Sequence, residues 1–303
     1  MKFSLRQLEV FLATAHAENV TRASDQLAMS QSAASSALKE LERTLDQPLF
    51  DRVGKRLQLN DTGRWLLPRA EALLAEAREL EQELSGQPGS GDLRLGATLT
   101  IGNYLAVTLV SDYKRQHPGA QVSLDVENTR AIADKLRQFQ LDIGLIEGEV
   151  QDPMLHITPW RDDELVVFSA PDHPLAQQGA ALDDHQLAAA RWILRETGSG
   201  TRQTFDRAMA GLLSALHVEL ELQHTEAIKR TVEAGLGIGC LSRETLREAF
   251  SRGTLVPLDV PHRDFSRRFY VVTHTRKYVT RGMRDFIDRC LALDGAADTT
   301  ALR

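Results

Sequence analysis

The run Gly86-Gln87-Pro88-Gly89-Ser90-Gly91 divides the chain into two stretches that cannot share one regular architecture. Glycine and proline at that density oppose both helix and strand, so the run reads as a linker. Before it, apolar residues recur at helical spacing. After it, short apolar runs alternate with amphipathic segments, the pattern of a parallel-rich α/β sheet covered by helices. The α/β part is longer than one such sheet requires, so two subdomains facing a cleft are expected. At 303 residues, 42% apolar and 26% charged, the composition is that of an ordinary globular chain of two or three domains.

Several classes of function are disfavoured. The longest uncharged stretch, residues 95–111, is broken by Gly, Thr and Asn and falls short of the ~20 apolar residues of a spanning helix. Arg6 and Glu9 stand where a signal peptide would carry its apolar core, so a cytoplasmic protein without a membrane partner is expected. Cys240 and Cys290 cannot form a disulfide framework or a four-ligand zinc site. The nine histidines lack ligand spacing, so no metal and no cofactor are expected. Ser199 has no Gly-x-Ser-x-Gly frame, and no catalytic residue is assigned. The net charge of −6 disfavours a nucleic-acid partner, but residues 1–60 balance 8 Lys and Arg against 7 Asp and Glu. Local placement decides the matter.

Within residues 1–60, Leu5, Leu8, Phe11, Leu12 and Ala15 mark one helix, and a short second helix spans residues 21–27. Ser30 is a good N-cap for a third, whose inner face is Ala34, Leu38, Leu41 and Leu45. Its outer face is Gln31, Ser32, Ser35, Ser36 and Lys39, short side chains that suit docking against a surface better than ordinary solvation. Val53-Gly54-Lys55 turns a small hairpin that carries Arg52, Lys55 and Arg56. Together these form a helix-turn-helix with a polar recognition face and a basic wing, and Thr21, Arg22 and Ser30 join the set expected to meet DNA. A helix then starts at residue 60 or 61 and runs to about 85. Its apolar positions Leu66, Ala70, Leu73, Ala77, Leu80 and Leu84 are spaced 4, 3, 4, 3 and 4 apart, the seam of a two-stranded coiled coil.

In the second part, Arg195-Glu196-Thr197-Gly198-Ser199-Gly200-Thr201-Arg202 lies between a strand and a helix. It reads either as an anion seat at a helix start or as a tight strand–helix turn. Thr98-Leu99-Thr100 occupies the corresponding place after the first strand and would complete a clamp across the cleft. Thr225 is a further wall residue or simply a helix cap. Glu147 ends the strand Asp142-Ile143-Gly144-Leu145-Ile146 at the cleft mouth. It either faces a ligand that brings a proton, hydrogen sulfite rather than sulfate, or pairs with Arg195 or Arg202.

The helix-turn-helix, Pro48-Leu49-Phe50-Asp51-Arg52, Leu67-Pro68, His173-Pro174-Leu175-Ala176 and Glu233-Ala234-Gly235-Leu236-Gly237-Ile238 resemble the LysR-type transcriptional regulators over essentially the whole chain. The Glu196–Arg202 run resembles the branch that governs carbon fixation and the assimilation of sulfur and nitrogen. The resemblance implies an α+β multidomain protein. A winged helix-turn-helix (1–60) and a dimerising linker helix with hinge (61–91) precede a periplasmic-binding-protein-like effector domain (92–303). Its subdomain I would cover about 92–162 and 268–293, and subdomain II about 163–267. Implied partners are double-stranded DNA with an inverted-repeat operator, a small anionic effector, other copies in dimers and tetramers, and RNA polymerase. Ser36 stands where many members carry Arg, which leaves Gln31 and Lys39 as base readers. Two rivals are an α/β enzyme acting on a phosphorylated or anionic small molecule and a DNA binder without an effector.

Overall fold

The computed structural model describes residues 2–54, 56–84 and 91–292, so Lys55 and residues 86–90 of the linker lie outside the described residues. α1 (Leu5–Ala17) begins at a capping box in which the Ser4 hydroxyl accepts from the Gln7 amide and the Gln7 side chain accepts from the Ser4 amide. Asn19 caps α2 (Val20–Gln26) and Ser30 caps α3 (Gln31–Leu45), and Ala28 turns the chain between them at φ +50°. In the wing, β1 (Phe50–Val53) pairs with β2 (Arg56–Leu59) so that Val53 faces Arg56. That register leaves a two-residue turn, and Gly54 at φ +63° supplies the left-handed conformation such turns demand. α4 (Asp61–Leu84) follows, with Leu67, Ala70 and Leu74 packed on Leu8, Phe11, Leu41 and Leu49. Of the expected seam, Ala70 is therefore internal to the N-terminal unit. Leu73, Leu80 and Leu84 stand 48%, 56% and 80% exposed on a single chain.

Beyond the linker come β3 (Leu93–Thr98) and α5 (Leu99–Ile101), which continues through a π-helical turn (Gly102–Ala106) into α6 (Val107–Gln116). Next are β4 (Val122–Glu127), α7 (Thr129–Arg137), β5 (Ile143–Glu147) and the long β6 (Leu155–Ser169). The chain continues through α8 (Pro174–Gln177), α9 (Asp184–Ala189), β7 (Arg191–Arg195), α10 (Gly200–Ala208), β8 (His217–Leu222) and α11 (Thr225–Glu233). It closes with β9 (Ile238–Ser242), α12 (Arg243–Arg252), β10 (Val256–Leu258), β11 (Ser266–His274) and α13 (Arg281–Ala292). The strand order is β4-β3-β5-β11-β6-β9-β7-β8, with β10 against β6. Two parallel triplets, β4-β3-β5 and β9-β7-β8, are joined by the antiparallel strands β11 and β6. β6 pairs with β11 as far as Glu164 and with β9 from Leu165, so it passes from one half to the other at that step. Each half has its own core, one around Tyr113, Trp160, Phe269 and Phe286, the other around Trp192, Phe205 and Met209.

The effector part also rests on the N-terminal unit. Glu71 of α4 approaches His16 at 3.5 Å, Arg94 at 3.6 Å and Lys277 at 3.3 Å, and Asp142 holds Arg94 at 2.8 Å and Lys277 at 2.7 Å. Burial pushes the His16 imidazole below its ordinary value of 6.5; Glu71 opposes this, and Arg94 and Lys277 reinforce it. His274 is lowered too, first by burial and then by Arg276 and Lys277, against Asp152. A base harder to protonate when folded contributes stability above its unfolded pKa and loses it as pH falls below that value. Thermal stability is therefore expected to decline as pH drops below 6.5. The Asp142 contribution persists further: burial raises its carboxyl, Lys277 and Arg94 outweigh that and hold it at about 2, so it is lost only below 3.8. Melting midpoints across this range should flatten in His16→Gln, and an unchanged slope would count against the assignment.

Candidate functional site

The outer face of α3 presents Gln31, Ser32, Ser36 and Lys39 to solvent, with Ser35 partly covered. Thr21, Arg22 and Arg52 are exposed beside it, and Arg56 is exposed while reaching Glu18 at 3.4 Å. Ala23 is fully buried, as a close crossing of α2 and α3 requires. The Ser30 hydroxyl accepts from the Ala33 amide, so it caps the helix, and lies 3.0 Å from the Ser32 hydroxyl. On this geometry Gln31→Ala should lose about 1–3 kcal/mol of discrimination at one base pair. Arg52→Ala should weaken binding to all duplexes and lower the log–log salt slope by about 1. Titrations of specific and random duplexes separate the two, and equal losses for Gln31→Ala would sink its base-reading role.

At the junction of the two effector subdomains, α5, α10 and α11 all begin at the carboxyl ends of β3, β7 and β8. None of the three is capped by the side chain of its own N-cap residue, whereas α1, α2, α3, α7, α9 and α12 are. Thr129 Oγ1 accepts from the Gly200 amide that opens α10 at 3.2 Å, and the other first-turn N–H groups keep the partial positive charge of a helix start. The Thr98, Ser199 and Thr225 hydroxyls at these starts are buried at 1–2% exposure and have no hydrogen-bond partner. Leaving such groups unmatched is costly, which makes the junction the candidate site for a polar ligand.

Between the starts of α5 and α10 lies Arg267, which the sequence pattern did not single out. Its side chain is 1% exposed. It donates to Thr201 Oγ1 at 3.0 Å and Thr100 Oγ1 at 3.5 Å, and pairs with Glu147 Oε2 at 2.9 Å and Asp163 Oδ2 at 2.6 Å. Thr201 Oγ1 in turn donates to Glu147 Oε1 at 3.2 Å. The signal was present in Phe265-x-Arg267-x-Phe269, which places an arginine on the inward face of a strand between two buried aromatics. Tyr104, on the π-helical turn, was also missed. Its hydroxyl donates to Glu226 at 2.8 Å and accepts from Lys229 at 3.2 Å, bridging the two subdomains.

Three expectations about this site are corrected. Glu147 pairs with Arg267, not with Arg195 or Arg202, because those two are engaged elsewhere. Arg195 holds Glu196 at 2.8 Å, and Arg202 reaches Asp206 and Glu221, each at 2.8 Å, and the Arg195 carbonyl at 3.1 Å. The Arg202 guanidinium is thus taken up by protein partners. The bareness of Gly200 serves packing: a Cβ there would collide with the Glu147 carbonyl and crowd Thr129, and without one α10 seats on the end of β5. Gly198, at φ +97°, supplies the turn before it, and Leu99 is the buried first residue of α5.

Two hollows of about 450 Å³ lie away from this junction, one between α1 and the effector part, lined by His16, Arg22, Arg56 and Gln138, the other beside Asp184 and His262. Cys240 and Cys290 are buried, which pushes both thiols up, Cys290 to about 12. Among the described residues no group of three or more His, Cys, Asp or Glu could hold a metal, and no helix is long and apolar enough to cross a membrane.

A polar recognition helix with a basic wing, joined by a long helix to a two-part domain with a hydroxyl-lined junction, defines a ligand-responsive DNA-binding regulator. Residues 5–64 match the bacterial regulatory helix-turn-helix protein model of the lysR family, and residues 86–294 match the LysR substrate binding domain. The uncharacterized HTH-type transcriptional regulator YeiE of Escherichia coli K12 is 43% identical over 290 residues, 96% of this chain and 98% of its own. The RuBisCO operon transcriptional regulator of Allochromatium vinosum is 33% identical over 274 residues, 90% of each chain. The regulatory domain of CcmR from Synechocystis PCC6803, solved in complex with 2-PG, is 30% identical with a TM-score of 0.62, covering 67% of this chain and 97% of its own. The chain belongs to the LysR family of transcriptional regulators and is not an enzyme.

Proposed function

We propose that this regulator is switched by a small oxyanion held between the effector subdomains, with sulfite as the leading candidate. The observation that carries this reading is the presence at this junction of three helix starts that lack an N-cap side-chain bond and of three unpartnered buried hydroxyls. Main-chain N–H groups and short hydroxyls suit a compact acceptor-rich anion. Charge narrows the choice. Glu147 and Asp163 share one guanidinium, so this group of three carries a formal −1, and a fully ionised dianion beside it is disfavoured. Hydrogen sulfite brings less charge and a proton to donate. The Synechocystis relative with 2-PG bound is compatible with a small anion in a domain of this build.

On the DNA side the chain would act as a dimer through Leu73, Leu80 and Leu84, with effector domains pairing dimers into tetramers on an inverted-repeat operator. Its place of action would be the cytoplasm, where RNA polymerase is a further contact.

Thr100→Val keeps the side-chain shape and removes the hydroxyl. A hydrogen bond to a charged ligand is worth about 1.5–3 kcal/mol, so sulfite affinity should fall by roughly one to two powers of ten. Glu147→Gln should weaken hydrogen sulfite and spare or improve sulfate. Calorimetric titration of the parent and both variants with the two sodium salts decides this. An equal response of both anions to Glu147→Gln removes the proton-donation argument, and absence of oxyanion binding by the parent ends the proposal.

A further inference from the structure

α7 reaches two functional regions with its two ends. At its start, the Thr129 hydroxyl donates to the Glu147 carbonyl at 2.7 Å and accepts from the Gly200 amide at 3.2 Å. The Arg130 amide donates to the Gly198 carbonyl at 3.3 Å, and the Asn128 side chain donates to Glu196 at 3.1 Å. These bonds tie the helix start to the loop that opens α10. Nine residues later, about 14 Å away at 1.5 Å per residue, the helix ends at Gln138 and hands over to Phe139.

Phe139 is 2% exposed, yet it belongs to the core of the DNA-binding unit, packed with residues of α1, α3 and α4. It sits at φ +58°, a conformation that an aromatic residue adopts only when its surroundings hold it there. The ring packs against His274 at a tilt of 35° with centroids 4.1 Å apart, and Lys277 lies 5.7 Å from its centre. Around it, Glu71 and Asp142 share Arg94 and Lys277, so charge pairing rings an apolar plug.

We infer that Phe139 is a docking plug that locks the effector domain onto the winged helix, and that α7 couples this dock to the cleft loop. A displacement of the Gly198–Gly200 backbone pulls on α7, because Thr129 and Arg130 are hydrogen-bonded to that backbone and Asn128 holds the neighbouring Glu196 side chain. A short regular helix transmits that displacement rather than absorbing it, and the plug at its far end is buried in α1 and α4. This holds for any ligand that shifts the loop and does not depend on the identity of the effector.

Hydrogen–deuterium exchange on the full chain, without added ligand, tests it. In Phe139→Ala, the amides of α1 and of the Leu67–Leu74 part of α4 are expected to exchange at least tenfold faster, while β3, β4 and β5 keep parental protection. Phe139→Leu, which restores apolar bulk, should recover most of the protection and guards against a merely misfolded Phe139→Ala. Thr129→Val cuts the far end without touching the plug. It should speed exchange at Gly200 and also in α1. Parental exchange of α1 and α4 in Phe139→Ala overturns the dock. A Thr129→Val effect confined to the cleft loop overturns the coupling.

Discussion

A chain carrying Leu73→Glu and Leu80→Glu is expected to sediment at half the mass of its parent or less and to bind its operator at least a hundredfold more weakly. Both leucines are about half exposed on α4, so two carboxylates there cost the single chain little. Between two copies the same carboxylates would face each other across a packed seam, where like charge and lost burial act together. Once the copies separate, the second half-site is no longer bound at the effective concentration that a linked module provides, and such linkage is worth 10²–10⁴ in avidity. Leu74→Glu is the contrasting case. At 3% exposure Leu74 lies in the winged-helix core, so the chain itself should unfold. Unchanged mass in the double variant would refute the seam.

The second large effect is expected at Arg267. Arg267→Met preserves much of the side-chain length but strips the buried Glu147 and Asp163 of their shared counterion. Removing one partner of a buried ion pair costs about 3–5 kcal/mol. A fall of that size in chemical denaturation is expected for the effector domain. Adding Glu147→Gln removes one of the stranded charges and should restore part of the loss, a coupling that a double-mutant cycle reads directly. Losses that simply add would show that the two residues act independently and that the pair does not close the junction.

The helix-turn-helix was legible because its determinants are local. Ser30 before an apolar seam, Ala23 at the crossing and Gly54 in the hairpin each act within a few residues, and the caps and turn stand where that spacing puts them. The alternation of strands and helices gave the α/β layout for the same reason. The first half of β6 was harder to see. Pro159 demotes a strand, and Trp160 forms a bulge opposite Phe269 and Tyr270, so the period of two is lost there. Trp160 is nonetheless buried, with its indole N–H on the Cys290 carbonyl at 2.6 Å. Arg267 escaped notice because its partners Thr100, Glu147, Asp163 and Thr201 come from four distant segments, which only the crossing of β6 and β11 brings together. Phe139 carries no local signal, since it simply follows the end of α7. Its role depends on a second unit folding against it.

The three helix starts at the junction also bear on how such a cleft can change over evolutionary time. A main-chain N–H survives every substitution except proline, so sequence drift cannot readily erase the positive ends of α5, α10 and α11. What drift can rewrite are the hydroxyls of Thr98, Thr100, Ser199, Thr201 and Thr225 and the carboxylates around Arg267. On the proposed function, lineages that inherit this backbone would trade one oxyanion for another through a few side-chain changes while remaining responsive to negative charge.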